Sequence, residues 1–246
     1  MKKELKILTY NVMSCTDFLS GEVCPEQIGG IIKEIGADIC GLNEVYNAGP
    51  KEGYCEQAKK LSVISGMKNY AYALGKKFEW NDEIGNAVLS RYDIVKVEKF
   101  AVAAPTEKER VAGENEWYED RVILKTTIDV GTKIAFIVTH FGLNLSERKR
   151  MVNKLSEVLD DTDMPMILVG DFNSTPDEEV LLPLYSRLKN VAKEVGNTEY
   201  TFSSTEPDRV LDYVFVSKEF SALSFEAKKV VASDHLPCTA RLTMEI

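Results

Sequence analysis

Histidine is nearly missing from this 246-residue sequence, with two copies, and no basic excess offsets its acids. Asp and Glu number 39 against 30 Lys and Arg, a net charge of −9. A protein that grips nucleic acid through phosphate contacts needs a positive face, and no block of basic residues supplies one. Nor is there an apolar run near the roughly 18 residues of a membrane helix. The opening Met1-Lys2-Lys3-Glu4-Leu5-Lys6 has no uninterrupted apolar segment of the secretory kind. The five cysteines (Cys15, Cys24, Cys40, Cys55, Cys238) are scattered, odd in number and without a CxxC pair, which argues against a disulfide framework and for a reducing compartment. No Gly-, Pro- or Ser-rich linker and no internal repeat divides the chain. The expectation is one cytoplasmic domain over residues 1–246, with no transmembrane segment.

Short β-rich runs fill much of the chain: 5–12, 39–45, 70–75, 86–90, 94–102, 122–130, 134–140, 166–170, 211–217, 227–231 and 239–246. Several, such as Met166-Ile167-Leu168-Val169, are continuously apolar, as strands covered on both faces are. Helical spacing of apolar residues predicts helices over 25–35, 54–64 and 146–159, the last with Ser146 as N-cap. Thr175-Pro176-Asp177-Glu178 reads as a capping box opening a further helix through Leu188. The economical α/β architecture is two packed sheets with helices on the outer faces. Residues 103–120 form a long, acidic, irregular stretch of the kind that is usually functional or mobile.

Polar residues of catalytic type fall where apolar strands begin or end. Asn11 closes the first strand, Glu44 the second and His140 the seventh. Asp171 and Asn173 follow Met166–Gly170, Asp212 opens Tyr213-Val214-Phe215, and Asp234-His235 precedes the last strand. Each alone has an ordinary use, since strand-end Asp and Asn start turns or cap helices. Both histidines falling in such a set points instead to one site on a rigid scaffold. Glu44, Asp171, Asp212 and Asp234 crowded together would repel or take up protons unless a cation sat among them. Oxygen ligands fit Mg²⁺, with Mn²⁺ as the alternative, rather than zinc. Such an ion normally completes its shell with substrate phosphate. Phosphoester hydrolysis is the chemistry that needs this kit.

The ordered stretches Leu8-Thr9-Tyr10-Asn11-Val12, Ala37 to Val45, Gly85 to Arg91, Val138-Thr139-His140, Gly170-Asp171-Phe172-Asn173, Leu211 to Phe215 and Ser233-Asp234-His235-Leu236-Pro237 resemble the endonuclease/exonuclease/phosphatase superfamily. The resemblance implies a four-layer α/β/β/α sandwich of two mixed sheets and a Mg²⁺-dependent phosphoesterase. By position, Glu44 is similar to the principal metal ligand, with Asn11 beside it and Asp234 near the same ion. Asp171 resembles the residue that orients or deprotonates the attacking water, and Asn173 its neighbour on the phosphate. His235 resembles the group that bonds the phosphate or moves a proton, steered by Asp212, and His140 the second histidine of the pocket. Which of His235 and Asp171 is the general base stays open. Asn43 stands where many members carry Gln before the metal-binding Glu.

Arg121 opens a strand where family members often place an Arg near the phosphate; a surface charge is the equal alternative. Asn86 lines the pocket or turns the chain into its strand. Trp80, Trp117 and Tyr118 sit in loops, as base-stacking surfaces or as ordinary loop anchors. The charge balance favours a small or lipid-derived phosphoester. The alternative is DNA or RNA held in a local groove of Arg91, Arg121, Arg148 and Lys149, and a non-catalytic binding module ranks last.

Overall fold

A computed structural model describes residues 2–50, 52–78 and 82–245; Trp80 falls outside them. The chain begins with a β-α-β unit in which β1 (Lys2–Asn11) and β2 (Ile39–Ala48) pair in parallel around α1 (Pro25–Ile35). After α2 (Gln57–Ser65) come β3 (Asn69–Lys77), β4 (Glu83–Ser90), β5 (Asp93–Val102) and β6 (Arg121–Asp129). A second such unit follows, with β7 (Lys133–His140) and β8 (Met166–Asp171) parallel around α3 (Leu145–Asp160). The remainder is α4 (Leu182–Tyr185), β9 (Lys189–Asn190), α5 (Val191–Glu194), β10 (Asp212–Val216), β11 (Phe220–Ala227) and β12 (Cys238–Glu245). Among the described residues the strands form two six-stranded sheets, ordered β11-β12-β1-β2-β4-β3 and β5-β6-β7-β8-β10-β9.

Side-chain alternation along the central strands builds the layers. Ile7, Ile39 and Val88 of the first sheet meet Phe136, Val138 and Val169 of the second in the middle of the molecule. Their neighbours point outward. Leu8, Cys40 and Leu42 lie under Ile28 and Ile32 of α1 and Leu61 of α2. Ile137, Leu168 and Phe215 lie under Met151, Leu155 and Leu159 of α3 and Leu184 of α4. The result is the expected four-layer α/β/β/α sandwich. Gly41 makes the inner contact close: a Cβ there would stand 2.3 Å from Val169 and 2.9 Å from Val138 of the facing sheet.

Three local expectations are corrected. Helix α3 is capped by Asn144 rather than Ser146, because Glu147 reaches back to the Asn144 N–H at 3.1 Å and completes a capping box. The Ser146 hydroxyl donates instead to Glu114 at 2.6 Å. No continuous helix runs from 176 to 188. Thr175 and Glu178 close a turn, a 3-10 turn covers Glu179–Leu181, and α4 starts afresh. Pro183 explains the break, since a proline inside a longer helix removes a backbone donor and clashes with the preceding turn. The strand expected over 227–231 lies earlier, as β11. Its ladder with β12 ends at Ala227–Cys238, next to Pro237, which has no N–H to extend it.

Parallel pairing sets the position of the site. Strands β1, β7 and β8 end at Asn11, His140 and Asp171, and Glu44 stands in β2 just past its pairing with β1, while antiparallel β10 begins at the same rim, with Asp212 opposite Asp171. Strand β12 likewise begins opposite Thr9, near the end of β1, just after Asp234 and His235. Crevices outside the carboxyl ends of parallel strands are the usual ligand sites of such sheets.

Candidate active site

Backbone irregularities aim the side chains. The β2–β4 register shifts between Leu42 and Val45, and Glu44 within this bulge has φ of 56°. A bulge re-aims a side chain, and strain in non-glycine residues of this conformation collects at functional sites. Asn173, at φ 44°, donates its backbone N–H to Asp171 Oδ1 at 2.9 Å and its amide to Phe141 O at 2.9 Å. Gly170 lets Asp171 follow closely on β7: at φ 149°, a Cβ would meet Thr139 O at 1.9 Å.

Asp171 is the hub, 1% exposed. Its Oδ2 accepts from Asn11 Nδ2 at 3.2 Å and stands 3.4 Å from Nε2 of both His140 and His235. Asn11 also donates to Glu44 Oε1 at 3.0 Å, while its own Oδ1 accepts the Met13 N–H at 3.1 Å. Asn11 therefore turns its amide nitrogen toward the carboxylates. Behind His235, Asp212 Oδ2 is 2.9 Å from Nδ1. Behind His140, Arg121 Nη1 donates to Nδ1 at 3.1 Å. An arginine only donates, so that contact leaves the ring proton of His140 on Nε2, facing Asp171. The Ser233 hydroxyl donates to Asn11 O at 2.7 Å and lies 3.1 Å from Asp234 Oδ1.

These neighbours set the charges. Burial would lower the pKa of His235, but the Asp212 and Asp171 carboxylates outweigh it and push it from 6.5 up to about 10. Burial works against ionised Asp171 too, yet His235 and His140 hold it well below the usual carboxylate range. Burial, the leading effect at Asp212, leaves its pKa raised despite the His235 imidazolium.

The two sheets are locked behind the site by amides. Asn43 Nδ2 donates to Thr139 O and to Asn86 Oδ1, both at 2.8 Å, and Asn43 Oδ1 accepts the Asp171 N–H at 3.0 Å. Asn86 Nδ2 donates to Val122 O at 2.8 Å. Both amides are buried; Asn86 borders the cavity with its polar atoms already engaged, and Asn43 reaches its partners without the longer Gln side chain.

Glu44, Asn86, Arg121, His140, Asp171, Asn173, Asp234 and His235 all line one cavity of about 550 Å³. Asn11 and Asp212 stand behind it as supports for Glu44 and His235. Among the described lining residues, six carboxylates (Glu44, Glu119, Asp120, Glu147, Asp171, Asp234) face four cations (Lys76, Arg121, Arg209 and the His235 imidazolium). Lys76, Glu119 and Arg209 escaped the sequence reading. Nothing in their spacing marked them, because β3, the 103–120 loop and the segment before β10 meet only in the folded chain.

The 103–120 loop walls this cavity and is tied to the start of α3. Asn144 Nδ2 donates to Trp117 O at 3.1 Å, and the Glu119 N–H donates to Glu147 Oε1 at 3.0 Å. Glu114 accepts from Ser146 N and Oγ, both at 2.6 Å, and from Tyr118 OH at 3.1 Å. Partial burial alone would raise the Glu114 pKa, but the Ser146 donors hold it below 4.5. The tether is therefore complete above pH 4.5 and is lost as pH falls through the lower folded value. Glu114→Gln should speed tryptic cleavage at Lys108 and Arg110 several-fold. Hydrogen exchange of the native loop should rise only in acid below that range; equal protection in mutant and native protein would contradict the tether.

The basic residues do not assemble into a groove. Arg91 donates to Ala37 O at 2.9 Å, after the end of β4 that pairs with the start of β2, away from Glu44. Arg148 is spent on the loop after Asp171, donating to Asn173 O and Glu178 Oε2, each at 2.7 Å. Of the four residues considered, Arg121 alone lines the cavity, and its guanidinium pairs with Glu119 at 2.9 Å.

Known structures share this architecture. An endonuclease/exonuclease/phosphatase from Beutenbergia cavernae matches with a TM-score of 0.81 at 23% identity, covering 98% of this chain and 72% of that one. The human Nocturnin catalytic domain with bound sulfate matches at TM-score 0.74 and 18% identity, covering 98% and 95%. A Bacteroides thetaiotaomicron mannosyl-6-phosphatase matches at 0.69 and 17%, covering 97% and 99%. No curated protein matched the sequence at a significant level. The sequence profile of the Endonuclease/Exonuclease/phosphatase family matches residues 8–235, most of the chain and every residue of the site just described, so the protein belongs to that family.

Proposed function

We propose that the protein is a Mg²⁺-dependent hydrolase of a small phosphoester, with Mn²⁺ as a substitute. The observation that carries this reading is the placing of a buried carboxylate, Asp171, between two histidines, beside Glu44 and Asp234 in one cavity. The excess of lining carboxylates over cations would repel a phosphate group unless a cation joined them. The donor chemistry fits: Glu44 and Asp234 are hard oxygen ligands partly open to the cavity, and no cysteine borders it among the described residues. Glu44 and Asp234 would hold the ion, with Asn11 orienting Glu44. Its contribution when bound is to neutralise the phosphate and polarise the scissile bond.

The protein groups divide the remaining work. Asp171, fixed through Oδ1 by the Asn173 N–H, accepts from the attacking water and orients it. His235, held between Asp212 and Asp171, carries protons on both ring nitrogens and donates from Nε2 to the phosphate or the leaving oxygen. His140 Nε2–H, the Asn173 amide and Arg121 supply fixed donors for the non-bridging oxygens. The unassembled basic groove and the net charge of −9 favour a small ester over nucleic acid. A screen of nucleotides, sugar phosphates, inositol phosphates, phospholipid headgroups and oligonucleotides, with Mg²⁺ against chelator, tests this. Hydrolysis of a small ester that chelator abolishes is expected; turnover confined to oligonucleotides, or unaffected by chelator, would overturn it.

A further inference from the structure

We infer that Trp117, mounted on Lys76 and Glu119, forms a subsite for an uncharged ring attached to the substrate phosphate. The inference rests on the phosphoesterase reading and specifies what the site accepts beyond the phosphate. Trp117 lines the cavity and is 63% exposed. A tryptophan that merely anchors a loop does so by burying its ring, and this one does not. It is nevertheless held from several sides. Its backbone N–H donates to Asn115 Oδ1 at 2.9 Å, its carbonyl accepts from Asn144 at 3.1 Å, and its indole N–H donates to Glu119 Oε1 at 2.9 Å. The Lys76 ammonium sits 4.3 Å from its ring centroid and 4.3 Å from that of Phe78. An exposed aromatic surface whose orientation is already fixed loses little freedom on binding a flat partner.

The charges beneath the ring decide the kind of partner. Glu119 accepts from Lys76 through Oε1 and pairs with Arg121 through Oε2, each at 2.9 Å. Glu119 offsets one of these two positive charges, and with Asp120 and Glu147 beside it the carboxylates outnumber Lys76 and Arg121 at this end of the cavity. A second phosphate would find no spare positive charge there, whereas the apolar face of a sugar or an aromatic ring would find Trp117 and the exposed Leu143. The cavity, about 550 Å³, is of small-ligand size. Ring and chain esters of the same phosphate should therefore be told apart at Trp117.

The test compares phenyl phosphate, a hexose 6-phosphate and glycerol 1-phosphate under Mg²⁺. Trp117→Ala should raise the ring-to-chain ratio of KM about tenfold, the scale of one lost stacking contact, with Trp117→Phe restoring most of it. The arm that responds, phenyl or hexose, identifies the ring. An unchanged ratio for both rings would overturn the subsite while leaving the hydrolase reading intact. Binding supplies an independent readout. The chain has two tryptophans, so Trp80→Phe leaves Trp117 as the sole indole emitter. In that variant, phenylphosphonate or a hexose 6-phosphonate should change the fluorescence, and methylphosphonate and inorganic phosphate should not. Equal responses to all four would overturn the proposal, even if no ester is turned over.

Discussion

Asp212→Asn should lower turnover by about a thousandfold while the protein remains folded. Asp212 opens β10 directly opposite Asp171, is 1% exposed, and bonds His235 Nδ1 at 2.9 Å. Asparagine fills the same space and can still accept that proton, so packing should survive. What disappears is the negative charge that does most to offset the burial of the His235 imidazolium. In a serine protease, the same substitution behind the catalytic histidine costs about ten-thousandfold. Here Asp171 still faces the ring at 3.4 Å, which is why a smaller loss, about 4 kcal/mol of barrier, is expected. Stability supplies a second readout. The folded pKa of His235 lies near 10 against an ordinary 6.5, so its stabilising contribution is complete below pH 6.5 and is lost as pH rises through 10. Denaturant midpoints of the native protein in chelator should decline across that window, and those of Asp212→Asn should decline less. Turnover within tenfold of native would remove Asp212 from the mechanism.

What the sequence displayed and what it concealed follow from the range of the interactions. The central strands were legible because each buries two faces, and continuous apolar runs such as Ile167-Leu168-Val169 have few other uses. Most site residues were legible because parallel pairing brings the ends of β1, β7 and β8, and the point where β2 stops pairing with β1, to one rim, so position at a strand end already implied convergence. Strand β11 was not, since Ser221, Ala222, Ser224 and Glu226 are weak strand formers and a register shift interrupts its pattern between Ala222 and Ser224. Arg148 shows the limit for single residues. The sequence offered it to a nucleic-acid groove, yet it bonds the Asn173 carbonyl and braces the loop behind Asp171. Glu119 mixes near and far partners: Trp117 and Arg121 stand two residues away on either side, whereas Lys76 of β3 becomes a neighbour only in the closed sandwich.

Glu44→Gln separates the charge of the bulge residue from its shape. Glutamine can hold the same backbone conformation, and its side-chain oxygen can still accept from Asn11, as Glu44 Oε1 does at 3.0 Å. The fold should therefore be indifferent to the change. Without metal it should even benefit, because Glu44 shares its cavity with Asp171 and Asp234, and like charges held close destabilise the folded state. In chelator, the variant should melt at or slightly above the native temperature. Adding Mg²⁺ reverses the order. A ligand that binds only the folded form stabilises it in proportion to its affinity, so native protein should gain stability and the variant little. Coulomb's law gives about 8 kcal/mol between one carboxylate charge and a dication about 4 Å apart at an effective dielectric near 20; the retained amide oxygen and solvent recover part of that, so Mg²⁺ binding should weaken by about a thousandfold or more. Turnover at about 1 mM Mg²⁺ should fall by a similar factor and recover in part at much higher concentration, a pattern that loss of a purely structural residue would not give. Titration calorimetry measures the affinity directly. Equal Mg²⁺ affinity in native and variant protein would place the ion elsewhere and leave Glu44 without its assigned role.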